Sequence, residues 1–315
     1  MTTSLAFLFP GQGSQLVGMG KELAEKYPVA RQTFEEADAA QGMSLSRVCF
    51  EGPEEELRRT EITQPSILTV SIATWRVLDE QGVKPAWVAG HSLGEYSAHV
   101  AAGTLSFTDA VRTVRNRGRY MQEAVPQGIG AMAAILGMDV EKVQTICRQA
   151  AQNEVCEAAN LNSAEQVVIS GHKGAVERAV TMATEQGAKK AVLLPVSAPF
   201  HCSLMQPAQE RLAQDLKALQ LRNPSTPVMC NVDAAIVQSA DASRDALVRQ
   251  VTGAVRWDEC VRGLIAAGAE TFVEVGPGKV LWGLMRQIDR SKSSWQTSDD
   301  AALQKTLQAL NSSAS

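Results

Sequence analysis

A serine lies in a short glycine pattern near residue 90. Gly90-His91-Ser92-Leu93-Gly94 matches Gly-x-Ser-x-Gly; a short apolar segment, residues 87–89, precedes it and helical spacing follows it. Such a turn from strand to helix needs the glycines, because side chains beside the serine have no room. It exposes the hydroxyl at the positive end of the helix, where developing negative charge is favoured. The pentapeptide alone can arise by chance among 23 glycines, but in this context it predicts that Ser92 is a nucleophile.

A serine nucleophile needs a base that takes its proton at neutral pH. The chain has four histidines: His91, His99, His172 and His201. The side chain of His91 is expected to point away from the adjacent serine, as a structural hydrogen-bonding group near the pocket. His99 lies about two helical turns beyond Ser92, too far for contact, and His172 falls in a glycine-flanked turn. His201 follows a loop-like segment and approaches from a different element, as a triad partner must, so it is the predicted base.

The third member of a triad stays open at this point. Acidic residues are plentiful, with 34 Asp and Glu in the chain, but no motif singles one out. A backbone carbonyl can also orient an imidazole, so the lack of a distinguished acid does not argue against the Ser92–His201 pair.

Composition excludes several other classes of protein. The 315 residues are 45% hydrophobic and 20% charged, which is enough for one large domain or two smaller ones. A net charge of −4 gives no general attraction to nucleic acid or anionic membranes. No apolar run approaches the roughly 20 residues of a membrane helix, and six scattered cysteines without a Cys-x-x-Cys pair predict neither a zinc site nor a disulfide framework. We expect a soluble cytoplasmic enzyme without a metal.

The elements that must position these residues follow an α/β pattern. Apolar strands are predicted at residues 4–9, before the turn Pro10-Gly11-Gln12-Gly13, and at residues 87–89. Helical spacing covers residues 16–27 and 67–78, and Ser106 is a predicted N-cap of a helix that runs to about residue 125. After residue 200 the same style returns, with a predicted helix near 203–219 and strands at 228–231 and 271–275.

The stretch between residues 128 and 195 has a different pattern. The predicted order is strand (131–136), helix (140–151), strand (155–160), strand (166–170), helix (174–186) and strand (191–194). This β-α-β-β-α-β order is the ferredoxin-like pattern. We therefore predict a discontinuous α/β domain of residues 1–127 and 198–290, interrupted by a ferredoxin-like subdomain of residues 128–197. A polar tail, residues 291–315, follows, with one weak amphipathic helix around residues 301–310.

Several sequence motifs are spread along the chain. They are Phe9-Pro10-Gly11-Gln12-Gly13-Ser14-Gln15, Gly90-His91-Ser92-Leu93-Gly94-Glu95, Arg117-Gly118 with Met121-Gln122, Ala159-Asn160-x-Asn162-Ser163, Ser197-Ala198-Pro199-Phe200-His201, Gln250 and Val275-Gly276-Pro277-Gly278. Together these motifs resemble the malonyl-CoA:acyl carrier protein transacylases. They occur in the family's order and spacing from about residue 4 to residue 290, which makes the resemblance very specific. It implies an α/β-hydrolase-like core with a ferredoxin-like insertion.

The resemblance also implies a role for each matching position. Ser92 carries the malonyl ester and His201 is the base. The backbone carbonyl of Gln250 orients His201 in place of an acid, and the backbone N–H groups of Gln12 and Leu93 form the oxyanion hole. The remaining implied pocket residues are Arg117, which clamps the substrate carboxylate, and His91, Asn162 and Phe200.

The implied partners are malonyl-CoA and an acyl carrier protein, with no metal or redox cofactor, and three alternatives stay open. An acyltransferase of this fold can take methylmalonyl or acetyl units, but bulky Phe200 leaves little room for an α-methyl group and Arg117 argues against acetyl. A serine hydrolase shares the nucleophile without needing the arginine. A non-catalytic carrier-binding subunit has no need of an intact Ser92–His201 pair.

Overall fold

Two β-sheets organise the protein, seen in a computed structural model that describes residues 4–196 and 198–312. The strands are β1 (Leu5–Phe9), β2 (Trp87–Gly90), β3 (Gly130–Leu136), β4 (Cys156–Ser163), β5 (Gln166–His172), β6 (Lys190–Leu193), β7 (Val228–Cys230), β8 (Ala235–Val237), β9 (Thr271–Glu274) and β10 (Ser293–Gln296). One sheet has the order β10-β9-β1-β2-β7-β8 and the other the order β4-β5-β3-β6. The protein therefore has a mixed α/β fold.

Helices cover and connect these sheets. They are α1 (Lys21–Lys26), α2 (Pro28–Gln41), α3 (Leu45–Glu51), α4 (Glu54–Leu57), α5 (Thr60–Glu80), α6 (Gly94–Ala101), α7 (Phe107–Glu123), α8 (Val140–Ala151), α9 (Lys173–Glu185), α10 (Gln206–Ala218), α11 (Ala240–Arg249), α12 (Trp257–Ala266), α13 (Val280–Ile288) and α14 (Asp300–Ser312). Within the described ranges, none is long and apolar enough to cross a membrane.

The six-stranded sheet is parallel except at one edge. β1 lies in its middle and pairs in parallel with β2 and with β9, whereas β8 runs antiparallel to β7. All five residues of β1 are buried, which explains its unbroken apolar sequence, since helices cover both faces of parallel sheets. The carboxyl ends of β1, β2 and β7 lie side by side, and a site built there draws on three distant parts of the chain.

The four-stranded sheet is antiparallel throughout and comes from one continuous stretch of chain. β3 pairs with β5 and β6, and β4 pairs with β5. Helices α8 and α9 pack on it around a separate apolar core that includes Ile135, Ile146 and Val176. This stretch contains the strand and helix order predicted for residues 128–197.

The C-terminal segment contains the predicted amphipathic helix, as α14, and a strand, β10, that was not predicted. β10 extends the six-stranded sheet by pairing in parallel with β9, and α14 buries Leu303, Leu307 and Leu310. Strand β10 was not predicted from the sequence because it lies at the sheet edge with partly exposed side chains. There backbone hydrogen bonds attach it to β9, and Trp295 is its one apolar side chain packed against the core. The parallel sheet therefore ends beyond the predicted domain boundary at residue 290.

Candidate active site

The segment of residues 90–94, the elbow, joins the end of β2 to the start of α6. Ser92 has a φ of 52°, in the left-handed region that residues with a side chain rarely adopt. A Cβ atom on Gly90 would lie 1.9 Å from the Gly94 carbonyl, and one on Gly94 would lie 2.0 Å from the Phe9 carbonyl oxygen. Only glycine fits these two positions, and the tight turn pushes the Ser92 side chain outward.

The Ser92 hydroxyl contacts His201, and a backbone carbonyl holds the imidazole from behind. Ser92 Oγ lies 2.6 Å from His201 Nε2, and His201 Nδ1 lies 2.9 Å from the Gln250 carbonyl oxygen. A carbonyl oxygen only accepts, so Nδ1 carries the proton and Nε2 is the acceptor for the serine hydroxyl. Among the described residues no carboxylate contacts this imidazole, and the partner of Nδ1 is the carbonyl of Gln250, one of the predicted site residues.

The environment keeps His201 neutral. Its side chain is buried, and that burial, together with the nearby charge of Arg117, lowers the pKa of His201 to about 3. The imidazole can therefore accept a proton at neutral pH, although the same environment disfavours the imidazolium ion that results.

Arg117 of α7 is a buried cation, 1% exposed, beside the nucleophile. Its Nη1 donates to Gln64 Oε1 at 2.8 Å, and its Nη2 donates to Ser92 Oγ at 3.2 Å and to Gln250 Oε1 at 3.0 Å. Among the described residues no carboxylate lies within ion-pair distance of it, and its Nε has no hydrogen-bond partner. Burial lowers the pKa of Arg117. A buried guanidinium whose hydrogen-bond partners are all neutral is suited to bind a carboxylate.

These groups meet in a cavity of about 120 Å³ between the two sheets. Its lining comprises Gln12, Gln64, His91, Ser92, Leu93, Arg117, Met121, Met132, Asn160, Leu194, Val196, Phe200 and His201. Met132 and Asn160 come from the four-stranded sheet. A larger cavity of about 440 Å³ elsewhere contains none of the predicted site residues. The structure thus brings together every predicted site residue except Gln250 and Asn162, which lie behind the lining.

The two predicted oxyanion-hole residues, Gln12 and Leu93, both line this cavity. The neighbouring Ser92 N–H is engaged elsewhere, because it donates to Asn231 Oδ1 at 2.7 Å. The Ser92 N–H is therefore not available as an oxyanion donor.

Two other predicted pocket residues, His91 and Asn162, are hydrogen-bonded to each other. His91 Nε2 donates to Asn162 Oδ1 at 2.8 Å, and the His91 ring lies 5.4 Å from the Trp257 ring. Burial lowers the pKa of His91. His91 lines the cavity, whereas Asn162 fixes the His91 ring from behind.

The remaining histidines do not reach the serine. His172 Nδ1 accepts the Val155 N–H at 2.9 Å, within the four-stranded sheet. His99 is completely buried, and neither ring nitrogen has a hydrogen-bond partner in the described part of the chain.

Sequence reasoning missed Asn231, Gln64 and any role for Glu95. Asn231 Nδ2 donates to the Gly90 carbonyl at 2.8 Å, so its amide holds the elbow on both sides. Glu95 Oε2 accepts from the Asn231 N–H at 2.9 Å and from Gln250 Nε2 at 2.8 Å. The available signal for Asn231 was its place directly after β7, at the carboxyl edge of a parallel sheet. Gln64 lies within a helix and gave no such signal.

Known proteins resemble this chain over nearly its whole length. The family model described as "Acyl transferase domain" matches residues 6–308. The "Malonyl CoA-acyl carrier protein transacylase" of Salmonella typhimurium is 50% identical over 306 residues, 97% of this chain and 99% of that protein.

Solved structures are also similar to this chain over nearly its whole length. A malonyl CoA-acyl carrier protein transacylase from Coxiella burnetii has a TM-score of 0.95 and 44% identity, and the match covers 97% of each chain. A malonyl-transacylase in complex with its type II polyketide-synthase acyl-carrier protein has a TM-score of 0.95 and 47% identity. That match covers 97% of this chain and 99% of that one.

Proposed function

The chain belongs to the acyl transferase domain family and, within it, to the malonyl-CoA:acyl carrier protein transacylases, and from this we propose how it acts. It moves the malonyl group from malonyl-CoA to the phosphopantetheine thiol of an acyl carrier protein, through an ester on Ser92, for fatty-acid biosynthesis. The observation that supports this most is the placement of Arg117 and the Ser92–His201 pair in one cavity.

In the first half-reaction Ser92 becomes acylated. His201 Nε2 takes the hydroxyl proton while Oγ attacks the thioester carbonyl carbon. The negative oxygen of the tetrahedral intermediate accepts hydrogen bonds from the Gln12 and Leu93 N–H groups. Collapse breaks the carbon–sulfur bond, and the departing coenzyme A sulfur takes the proton from His201.

In the second half-reaction the carrier thiol replaces coenzyme A. His201 takes the thiol proton, the sulfur attacks the ester carbonyl, and Ser92 Oγ leaves with the proton that His201 returns. Malonyl-CoA and the carrier therefore react in turn, and the cycle needs no metal or redox cofactor.

Specificity for malonyl units follows from two side chains of the cavity. Arg117 meets the free carboxylate of the acyl group with a charge that an acetyl unit does not need. Phe200, which precedes the base, restricts the space for an α-methyl group, and this disfavours methylmalonyl units.

We extend the proposal to architecture and location. The six-stranded sheet with its helices corresponds to an α/β-hydrolase-like core, and the four-stranded sheet to a ferredoxin-like insertion whose β-α-β-β-α-β order supports the assignment. The protein works in the cytoplasm, where malonyl-CoA and a carrier are its partners, and it does not act on nucleic acid or membranes.

Intact mass spectrometry tests the function directly. Brief mixing with malonyl-CoA, without a carrier, should add the mass of one malonyl group, and holo-carrier should remove it. Ser92→Ala should acquire no adduct; an adduct on that variant would move the nucleophile elsewhere. Steady release of free malonate without a carrier would instead favour the hydrolase.

A further inference from the structure

Glu95 is an acid inside the protein that the mechanism above does not use. It lies in the first turn of α6, three residues after the nucleophile, and is 0% exposed. Its Oε2 accepts the hydrogen bonds from Asn231 and Gln250 given above. Its Oε1 has no hydrogen-bond partner among the described residues.

The two partners of Glu95 hold the reacting groups in place. Asn231 accepts the Ser92 N–H. Gln250 Nε2 donates to the Ser92 carbonyl at 2.9 Å, and its backbone carbonyl holds His201. Nucleophile and base are thus each one hydrogen bond from a residue that Glu95 binds.

The Glu95 carboxylate and the Ser92 carbonyl together decide which way the Gln250 amide faces. An ionised carboxylate only accepts hydrogen bonds, so it draws the NH₂ group of Gln250 towards itself. The amide oxygen must then face the opposite way, where it accepts from Arg117 Nη2 at 3.0 Å. A reversed amide would set NH₂ against the guanidinium. Glu95 and Arg117 are therefore linked through a single amide.

The hydrogen bonds through Gln250 also connect the two groups of opposite charge inside the site, Glu95 and Arg117. The groups that face Glu95 are Tyr96 and His99 on α6, Arg117 on α7, Cys230 on β7, Cys260 on α12 and, beyond Gln250, His201. Burial raises the pKa of the two thiols and of Tyr96 and lowers the pKa of both histidines, so all five are neutral near pH 7. Arg117 and Glu95 remain as the pair that can carry charge.

A malonyl carboxylate that binds in the cavity adds a second negative charge near Arg117. Two negative groups then share one buried cation, and carboxylates that share a site do not both stay ionised. The substrate carboxylate gains the direct contact with Arg117, whereas Glu95 keeps only the contact through Gln250. Burial already raises the pKa of Glu95 to about 7, so Glu95 is the group that protonates.

We propose that Glu95 is the internal counter-charge of Arg117 and a positioning residue of the site, and that it takes up a proton when a malonyl group binds beside Arg117. This inference rests on the proposed function. Acetyl groups bring no carboxylate and cause no such uptake.

Calorimetric titration of the Ser92→Ala variant measures this proton. The variant binds acyl-CoA without reacting, and titration at pH 8 in phosphate and in Tris, whose ionisation enthalpies differ, yields the protons taken up. Acetyl-CoA serves as the matched ligand, because it carries the same coenzyme A phosphates. We expect malonyl-CoA to take up about 0.5–1 proton more than acetyl-CoA. At pH 5.5, where Glu95 is already protonated in the free protein, the difference should vanish.

A matched pair of variants identifies the group that titrates. Adding Glu95→Gln should abolish the difference at pH 8. Adding Glu274→Gln should preserve it, because Glu274 is an equally buried carboxylate whose pKa is also raised to about 7 but which contacts Trp282 instead of the site.

The outcomes separate this inference from the function. Malonyl-CoA that binds without extra proton uptake, or uptake that survives Glu95→Gln, overturns the role of Glu95 and leaves the transferase assignment intact. Failure of malonyl-CoA to bind Ser92→Ala and to acylate the unmodified protein overturns both. If Glu95→Gln does not fold, the pH 5.5 comparison and Glu274→Gln decide alone.

Discussion

At the residue scale, the Ser92 oxygen lies between two groups with opposed effects. His201 is 2.6 Å away and must become a cation, whereas Arg117 is 3.2 Å away and already is one. Arg117 therefore favours a negative oxygen on Ser92 but disfavours protonated His201. A substrate carboxylate paired with Arg117 removes much of this second effect. The base should thus be stronger with malonyl than with acetyl substrates.

Substitution of Arg117 tests this balance. Arg117→Ala strands the malonyl carboxylate without a partner, at ~3–5 kcal/mol, and should lower kcat/KM for malonyl-CoA by ~10²-fold or more. Transfer from acetyl-CoA should stay equal or improve, because the variant removes a buried cation that acetyl does not use. Arg117→Lys should recover part of the loss, since an ammonium cannot form two parallel hydrogen bonds. Equal losses for both donors would make Arg117 merely structural.

Substitutions of His201 and His99 distinguish the catalytic base from the other buried histidine. His201→Ala should slow acylation of Ser92 by ~10³-fold or more, as removal of a triad base does. His99→Leu is the control, because His99 is as deeply buried but its ring makes no hydrogen bond within the described ranges. Rapid-quench measurement of the malonyl ester compares the two variants, and similar losses in both would contradict the assignment of His201.

At the element scale, the elbow depends on how closely β1, β2 and α6 approach one another. Gly94→Ala places a methyl group 2.0 Å from the Phe9 carbonyl oxygen, so backbone must move, at ~1–3 kcal/mol or more, and acylation should fall. Gly283→Ala in α13 is the control: a Cβ there meets nothing within 4 Å, and the change should stabilise the helix by about 0.5–1 kcal/mol. Urea unfolding gives both free energies. A Gly94→Ala protein as stable as its parent would refute the close-packed elbow.

Elements with a local signal were predictable from the sequence. Ser106 was the predicted N-cap of α7, and its Oγ accepts the Asp109 N–H at 3.1 Å. The elbow could be recognised because its glycine pattern occupies five consecutive residues between a predicted strand and a predicted helix. Asn231 and Gln64 could not be found in this way, because their roles depend on which strands and helices become neighbours. The helices α2, α3, α4, α11, α12 and α13 and the strand β8 were also missed.

At the scale of the whole molecule, the C-terminal segment fastens the chain back onto its beginning. Asp300 accepts from Lys26 Nζ at 2.7 Å and from the Tyr27 hydroxyl at 2.8 Å. Leu303 of α14 is completely buried in the core that also contains Phe7 and Leu23. The polar composition of residues 291–315 hid this attachment, because β10 is held by its backbone and α14 by one face only.

Truncation of that apolar face should therefore weaken the whole fold. Leu303→Ala should lower the free energy of unfolding by ~2–5 kcal/mol, as for other buried leucines. Gln308→Ala, on the exposed face of the same helix, should change it by less than about 0.5 kcal/mol. Denaturant titration distinguishes the two variants. A neutral effect of Leu303→Ala would restore the polar-tail interpretation.

The burial of Arg117 affects the stability of the folded enzyme. Without an acyl group, Arg117 contacts no carboxylate directly within the described ranges and is linked to Glu95 only through Gln250, so we expect the resting enzyme to be less stable than the malonylated one. A malonyl group on Ser92 supplies that missing partner and stabilises the folded state, as any ligand of the native form does. We therefore expect the malonylated enzyme to unfold and to be degraded more slowly than the free enzyme. When malonyl-CoA is scarce, unfolding and proteolysis remove the transferase faster, so its abundance follows the supply of its own substrate.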